Sequence, residues 1–266
     1  MYDRFNRPIN YLRVSVTDRC NLRCVYCMPE KGVQLLNHAD ILSYEEILEV
    51  ITEAVLAGIT KVRITGGEPL VRKGIVSFIG NVAAIPGIQD LGLTTNGMLL
   101  AGFAEALARA GLHRINISLD TLDQAKYSEI TRGGEIRQVL EGIDAAKKAG
   151  LFPVKINCVV NHSSEEPDAR AVRDFCRSNG LEVRFIHQMN LANGSFTLVE
   201  NGHGGDCRNC NRLRLTAHGF IQPCLFNDLR FGIREHGIRK ALELAVKMKP
   251  EHGTISLKNR FYNIGG

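Results

Sequence analysis

Cys20-Asn21-Leu22-Arg23-Cys24-Val25-Tyr26-Cys27 places three cysteines within eight residues, in the spacing C-x3-C-x2-C. Three thiols that close cannot all pair as disulfides, and they suit one compact metal centre. An iron–sulfur cubane held by four cysteines is coordinatively closed and mainly passes electrons. Held by three, it leaves one iron open to another molecule, and no fourth cysteine lies nearby. Zinc would want a further nitrogen or sulfur ligand at finger-like spacing, and the nearest later candidate is His38.

Outward from the triad the chain alternates. Strand-like runs fall at Leu12–Val16, Lys61–Ile64, Gly92–Thr94, Arg114–Ser118, Val154–Val160 and Val183–Ile186. Helical periodicity falls between them, at Tyr44–Leu56, Ile75–Ala84, Leu99–Ala110, Ile136–Ala149 and Asp168–Ser178. Strict βαβα order means parallel strands with right-handed crossovers. The pattern predicts an α/β fold, a partial (β/α)6 TIM-type barrel or an open sheet, with ligands at the C-terminal strand ends. The triad follows the first strand and Gly66-Gly67-Glu68-Pro69 the second. Thr94-Thr95-Asn96-Gly97 end the third, Ser118-Leu119-Asp120 the fourth, and Met189 follows the sixth. One rim is therefore expected to collect them all.

Composition sets the outer bounds. The 266 residues are 44% hydrophobic, enough for a sizeable core. No apolar run approaches a membrane span and no charged-then-apolar leader opens the chain, so a cytoplasmic protein without a membrane partner is expected. Eight cysteines in such a chain argue for metal rather than disulfides. Cys158 and Cys176 fall in apolar patterns and read as core. The net charge of +5 is mild, and no block of five basic residues occurs. A single anionic small molecule accounts for the excess as well as nucleic acid does, so charge alone decides nothing, and the expectation of no nucleic-acid partner rests on the resemblance given below.

A second triad, Cys207-x2-Cys210-x13-Cys224, is close enough to share a centre across a hairpin. Here zinc and a cluster are equally open, because His203 or His218 can complete a Cys3His site. Arg212-Leu213-Arg214 lies between the cysteines, where two arginines can fork onto phosphates or a base edge. Asn193–Asp206 reads as a loop, and an amphipathic helix bearing Ile238, Ala241, Leu242, Ala245 and Val246 ends at Pro250.

The first triad, with an aromatic Tyr26 before its last cysteine, resembles the radical S-adenosylmethionine superfamily. Further motifs narrow the resemblance to the GTP 3′,8-cyclase family of molybdenum cofactor biosynthesis. They are Leu12–Asn21, Arg63-Ile64-Thr65-Gly66-Gly67-Glu68-Pro69-Leu70, Thr94-Thr95-Asn96-Gly97, Asn116–Asp120, Cys207–Ala217 with Pro223–Phe226, and the terminal Gly265-Gly266. The resemblance implies a radical barrel over residues 1–190, a linker over 191–206 and a C-terminal auxiliary iron–sulfur module over 207–266. Cys20, Cys24 and Cys27 would hold a [4Fe–4S] cluster that opens S-adenosylmethionine, with Tyr26, Gly67, Ser118 and Met189 against that cofactor. Arg13, Arg63, Thr94, Lys155, Arg212, Leu213 and Arg214 would touch GTP. Cys207, Cys210 and Cys224 would hold a second [4Fe–4S] cluster whose open iron takes the guanine. Arg13 and a mobile Gly265-Gly266 tail would serve catalysis.

The implied reaction begins with a 5′-deoxyadenosyl radical that takes the 3′ hydrogen of GTP. The ribose radical attacks C8, and reduction gives 3′,8-cyclo-7,8-dihydro-GTP. An external one-electron reductant and a downstream enzyme for the product are the implied partners, and a homodimer stays open. Arg13, Arg63 and Lys155 are expected to converge at the rim. The alternative is a divergent radical enzyme acting on a peptide or another small molecule, or, further off, an electron-transfer scaffold. Only seventeen residues separate Met189 from Cys207, fewer than the family pattern carries. At about 3.3 Å per residue such a link can span the barrel mouth.

Overall fold

In β1 (Tyr11–Ser15), Leu12 and Val14 are fully buried among helices, while Tyr11 and Arg13 point the other way and are half-buried. The same period of two runs through β2 (Lys61–Thr65), β3 (Asp90–Thr95) and β4 (Arg114–Ser118), with Val62, Ile64, Leu91, Leu93, Ile115 and Ile117 on the helix side. A sheet buried on both faces must fill both. Here the outer face is aliphatic and the inner face is polar, so the inside is a bore rather than a packed core. The computed structural model describes residues 1–264. The Gly265-Gly266 expectation therefore lies outside the described residues.

The outer helices form where the periodicity predicts them. α1 (Tyr44–Leu56) starts on a reciprocal capping box between Ser43 and Glu46. α2 (Ile75–Ala83), α3 (Ala104–Arg109), α4 (Gln124–Thr131) and α5 (Ile136–Lys148) follow. α6 (Pro167–Asn179) opens on a proline and stops at Gly180 with φ 66°. β5 (Val154–Val160) and β6 (Glu182–His187) complete the six expected strands, paired in parallel in the order β6-β5-β4-β3-β2-β1. Two details differ from the sequence reading. The stretch 99–110 splits into a short 3-10 turn, Leu100–Gly102, and α3. α4 was not anticipated, because only Tyr127 and Thr131 of its eight residues are buried.

The larger difference lies beyond β1. β7 (Arg212–Leu215) adds to the barrel sheet in parallel with β1, in the register Tyr11 to Arg212 and Arg13 to Arg214. β8 (Phe220–Gln222) and β9 (Phe231–Gly232) continue it antiparallel, making one nine-stranded sheet among the described residues. α7 (Ile233–His236) and α8 (Ile238–Lys247) cover this end, and α9 (Phe261–Ile264) closes the described chain.

Register then decides where the second triad sits. Cys207 and Cys210 precede β7, and the hairpin pairing of Arg214 with Gln222 carries Cys224 back beside the start of β7. That is the end where β1 begins, whereas Cys20 to Cys27 follow the end where β1 finishes. The two triads are at opposite ends of the bore. His218 lies in the turn at the far end of the hairpin, which removes it as a fourth ligand of a Cys3His site. The seventeen-residue link does not cross the mouth either. It descends along the open edge of β6, where Glu200 pairs antiparallel with Phe185, and packs Leu191 against Leu225 and Phe226.

Candidate active site

The loop after β1 is fastened on all sides. Cys27 N–H and Met28 N–H both donate to the Cys24 carbonyl, at 2.9 and 3.0 Å. Arg23 and Val25 N–H donate to the last carbonyls of α4, and Arg132, in the left-handed region at φ 54°, reaches back to the Arg23 and Met28 carbonyls at 2.9 Å each. Tyr26 donates its hydroxyl to half-buried Asp120 at 2.8 Å, and Asp120 also accepts from Val159 N–H at 2.8 Å.

Gly66 and Gly67 let the end of β2 lie directly against this loop. Gly67 N–H donates to Thr17 O at 2.7 Å, and a Cβ on Gly67 would stand 2.3 Å from the Arg19 carbonyl oxygen. Glu68, 1% exposed, accepts from Leu70 N–H, Thr95 Oγ1 and Asn96 N–H, which ties the ends of β2 and β3 together. Asn96 in turn reaches Asn21 Oδ1 at 2.8 Å and the Cys20 thiol at 3.8 Å. Burial lifts Glu68 to about 7 and Asp120 to about 6, against the hydrogen bonds that favour their ionised forms.

One cavity opens at this end. Cys20, Cys24, Cys27 and Tyr26 line it together with Gly67, Ser118 and Met189. Thr94 also lines it, as do Phe261 and Tyr262 from the C-terminal segment. The residues expected to meet the first cluster and S-adenosylmethionine thus share one wall. Burial pushes Cys24 and Cys27 up to about 12, with neighbouring thiols adding to it in both and Asp120 in Cys24. Thiols in that setting become ligands only against a strong positive charge, which is what the irons of a cluster supply.

Below the cavity the bore is cationic. Arg13 is level with Arg63 on one side and Arg214 on the other, at mid-strand rather than at the rim. This corrects the expectation that Arg13, Arg63 and Lys155 converge at the strand ends. Burial, Arg13 and Arg212 together push Arg214 down to about 9. Arg63 has 3% exposure and a buried Nη1 with no partner among the described residues; Arg184 Nε and Thr94 Oγ1 are likewise unpartnered. The small Gly92 opposite Arg63 makes room for its guanidinium, since a Cβ there would approach Nη2 to 3.0 Å. Lys155 pairs with Glu182, and Arg114 with Asp90. Leu213 is fully buried in the outer core, so its side chain seats the strand and only its main chain is near the bore.

Tyr11, Arg114 and Arg184 belong to this bore and were not singled out from sequence. The available signal was charge at mid-strand: β-strands covered on both faces seldom carry arginine unless it faces a ligand. Glu68 and Asp120 stood in quoted motifs, but their pinning role needed the fold.

At the opposite end, Cys210 N–H donates to Cys207 O at 3.3 Å. Burial raises the Cys210 thiol, yet Lys249 and Arg212 outweigh it and bring it below its ordinary value. Cys224 stays raised by burial. Among the described residues no three Cys, His, Asp or Glu side chains converge on a single ion. A cubane presents an iron at each of several corners, so its thiolates need not meet at one point.

An open-iron cysteine loop at the C-terminal end of a partial parallel barrel defines the radical S-adenosylmethionine class, and the Radical SAM superfamily model matches residues 14–176. The fold is shared with Streptococcus suis SuiB, at TM-score 0.65 and 18% identity over 91% of this chain and 66% of that one. Methylornithine synthase (PylB) matches at TM-score 0.56 and 16% identity, over 69% of this chain and 54% of that one. The sequence relatives are far nearer. The GTP 3′,8-cyclase of Thermodesulfovibrio yellowstonii is 43% identical over 305 positions, covering 94% of this chain and 95% of the relative. That of Petrotoga mobilis is 41% identical, covering 94% of each. The chain belongs to the GTP 3′,8-cyclase family of the radical S-adenosylmethionine superfamily. The first alignment runs to 305 positions against a chain of 266, so at least 39 of its positions have no counterpart here.

Proposed function

We propose that the bore between the two triads performs the family's reaction with the residues placed above. The reaction converts GTP to 3′,8-cyclo-7,8-dihydro-GTP, the first step of molybdenum cofactor biosynthesis. Cys20, Cys24 and Cys27 hold the first [4Fe–4S] cluster, and Cys207, Cys210 and Cys224 the second. When bound, the first cluster and S-adenosylmethionine supply one-electron cleavage to a carbon radical. Tyr26, Gly67, Ser118 and Met189 seat S-adenosylmethionine at the upper end.

The bore does the rest by position and charge. Arg13, Arg63 and Arg214, level with one another, bind the triphosphate, with Thr94, Lys155, Arg184 and Arg212 around them. β1 spans about 16 Å at roughly 3.3 Å per residue, which suits a nucleotide lying between two centres. The aliphatic outer face and the helices keep water from the radical. Phe261 and Tyr262 line the cavity, and the catalytic role of Gly265-Gly266 is carried over from the family pattern alone. The division into a barrel over 1–190, a link over 191–206 and an auxiliary module over 207–266 is retained as a functional one, since the sheet itself is continuous.

The observation that carries this reading is the row of inward-facing arginines between two thiol triads, in which Arg63 Nη1 and Arg184 Nε have no partner among the described residues. A triphosphate brings several negative charges on one small molecule, which answers this much inward-facing positive charge more compactly than a peptide does. Eight free cysteines and two oxygen-sensitive clusters suit a reducing cytoplasm, with an external one-electron reductant and an enzyme that takes the product. Among the described residues no helix is long and apolar enough to cross a membrane. Anaerobic turnover with GTP should give an isomer of GTP, because the hydrogen atom lost from C3′ is replaced by one electron and one proton. Chromatography coupled to mass spectrometry should show a new peak at the mass of GTP, and S-adenosylmethionine cleavage without that peak would sink the assignment of GTP.

A further inference from the structure

Behind the second triad lie two buried cations for which the reaction has no evident use. Lys249, just after α8, is 1% exposed. Its ammonium has three hydrogens and three acceptors: Arg212 O at 2.7 Å, Pro223 O at 2.5 Å and the thiol of Cys210. Arg212 stands two residues after Cys210, and Pro223 immediately precedes Cys224. Arg7, 5% exposed, holds the third cysteine segment. It donates from Nη1 to Cys207 O at 2.6 Å and Glu251 O at 2.7 Å, and from Nη2 to Pro250 O at 2.6 Å. Its Nε meets Asp3 at 2.6 Å. One pair of cations therefore fastens all three cysteine segments to one another and to the chain after α8.

The charge balance of this arrangement is unusual. Asp3 answers Arg7, but no carboxylate among the described residues pairs with Lys249. A buried ammonium without a counter-charge is strongly disfavoured. Three thiolates around a [4Fe–4S]2+ core leave one net negative charge, and two after one-electron reduction. A cluster held by this triad would be the counter-charge, and Lys249 already donates to the Cys210 sulfur that would be one of its ligands. Hydrogen bonds to sulfur and local net charge are what set cluster potentials.

Resting on the reading that this triad holds a cluster, we propose that Lys249 is a positioning residue that raises the second cluster's reduction potential by holding its more negative, reduced state. The test uses the full chain carrying Cys20→Ala, Cys24→Ala and Cys27→Ala together, reconstituted anaerobically so that only the second cluster is present. A mediator-buffered reductive titration is followed by electron paramagnetic resonance. Lys249→Met should shift the reduction equilibrium at least tenfold toward the oxidised state, a fall of 59 mV for a one-electron couple. Lys249→Arg should keep most of the parent midpoint.

An unmoved midpoint in Lys249→Met would overturn the proposal. If Lys249→Met cannot hold the cluster, iron counting decides. Retention in Lys249→Arg supports a role for the charge, and loss in both variants overturns it. A parent protein that binds no cluster at this triad overturns the underlying reading as well, so the two failures are told apart.

Discussion

At the end of the bore where the strands finish, Cys24 and Cys27 sit among groups that resist their ionisation: a low-dielectric wall, the Asp120 carboxylate near Cys24, the Cys24 thiol near Cys27, and the Cys20 thiol near both. At the end where the strands begin, Cys210 sits beside Lys249 and Arg212, which favour its ionised form. The thiols are the same in type and number, and Cys224 is raised by burial as the upper ones are; the contrast lies in the cations beside Cys210 and the carboxylate beside Cys24. Negative surroundings make it harder for a cluster to keep an added electron, so the upper centre is placed to give one away. Positive surroundings tolerate added negative charge, so the lower centre is placed to face an anionic substrate. On the proposed reading, the bore would be a polarised channel, reducing at one end and anion-binding from the middle down.

The strongest way to break this comparison is to remove one end at a time. Cys24→Ala should abolish S-adenosylmethionine cleavage, measured anaerobically as release of 5′-deoxyadenosine. Cys224→Ala should leave that cleavage in place and abolish the cyclic product. Equal loss of cleavage in both variants would mean that the two ends do not have separate tasks.

Gly67→Ala asks whether the upper end depends on close backbone contact. The new Cβ would fall 2.3 Å from Arg19 O and 2.7 Å from its carbonyl carbon, and main chain cannot yield cheaply. A cost of about 1–3 kcal/mol in overpacking is expected, read as a lower Tm and loss of iron from the first site alone. Unchanged iron and Tm would show that the loop after β1 is looser than its hydrogen bonds imply.

Arg63→Gln probes the middle. A charged hydrogen bond removed there is worth about 1.5–3 kcal/mol, or roughly ten- to a hundredfold in the Kd for GTP. Affinity for S-adenosylmethionine should hold, because Arg63 lies below its cavity. Isothermal titration with each ligand separates the two outcomes.

Much of the upper end was legible in sequence, and the lower end was not. The six alternating strands and the cysteine loop are local patterns, so β1 to β6 and the wall of Cys20, Tyr26, Gly67, Ser118 and Met189 follow from short windows. The position of Cys207, Cys210 and Cys224 depends on Tyr11 meeting Arg212, a pairing across most of the chain that no local signal encodes. α4 escaped because a helix with two buried residues has almost no periodicity to read. Arg184 escaped because one arginine in a strand is indistinguishable from a surface charge until the neighbouring strands show it faces inward. Lys249 was hidden for a similar reason: a lysine near the end of an amphipathic helix reads as solvated, and here it is among the largest fully buried side chains.

The smallest effect tests the bore's field directly. Burial alone would raise the Tyr11 phenol, but Arg63, Arg13, Arg212 and Arg114 outweigh it and bring it down to about 8. A lowered phenol pKa means that the ionised form is stabilised by positive charge around it. Tyr11 should therefore titrate well below the other tyrosines, visible as tyrosinate absorbance that Tyr11→Phe removes. A bound triphosphate cancels part of that positive charge, so saturating GTP should move the Tyr11 midpoint back upward. An anion that avoids the arginines would leave it where it was. A midpoint unaffected by GTP would place the triphosphate outside the row of Arg13, Arg63 and Arg214 and would remove the electrostatic contrast between the two halves of the bore.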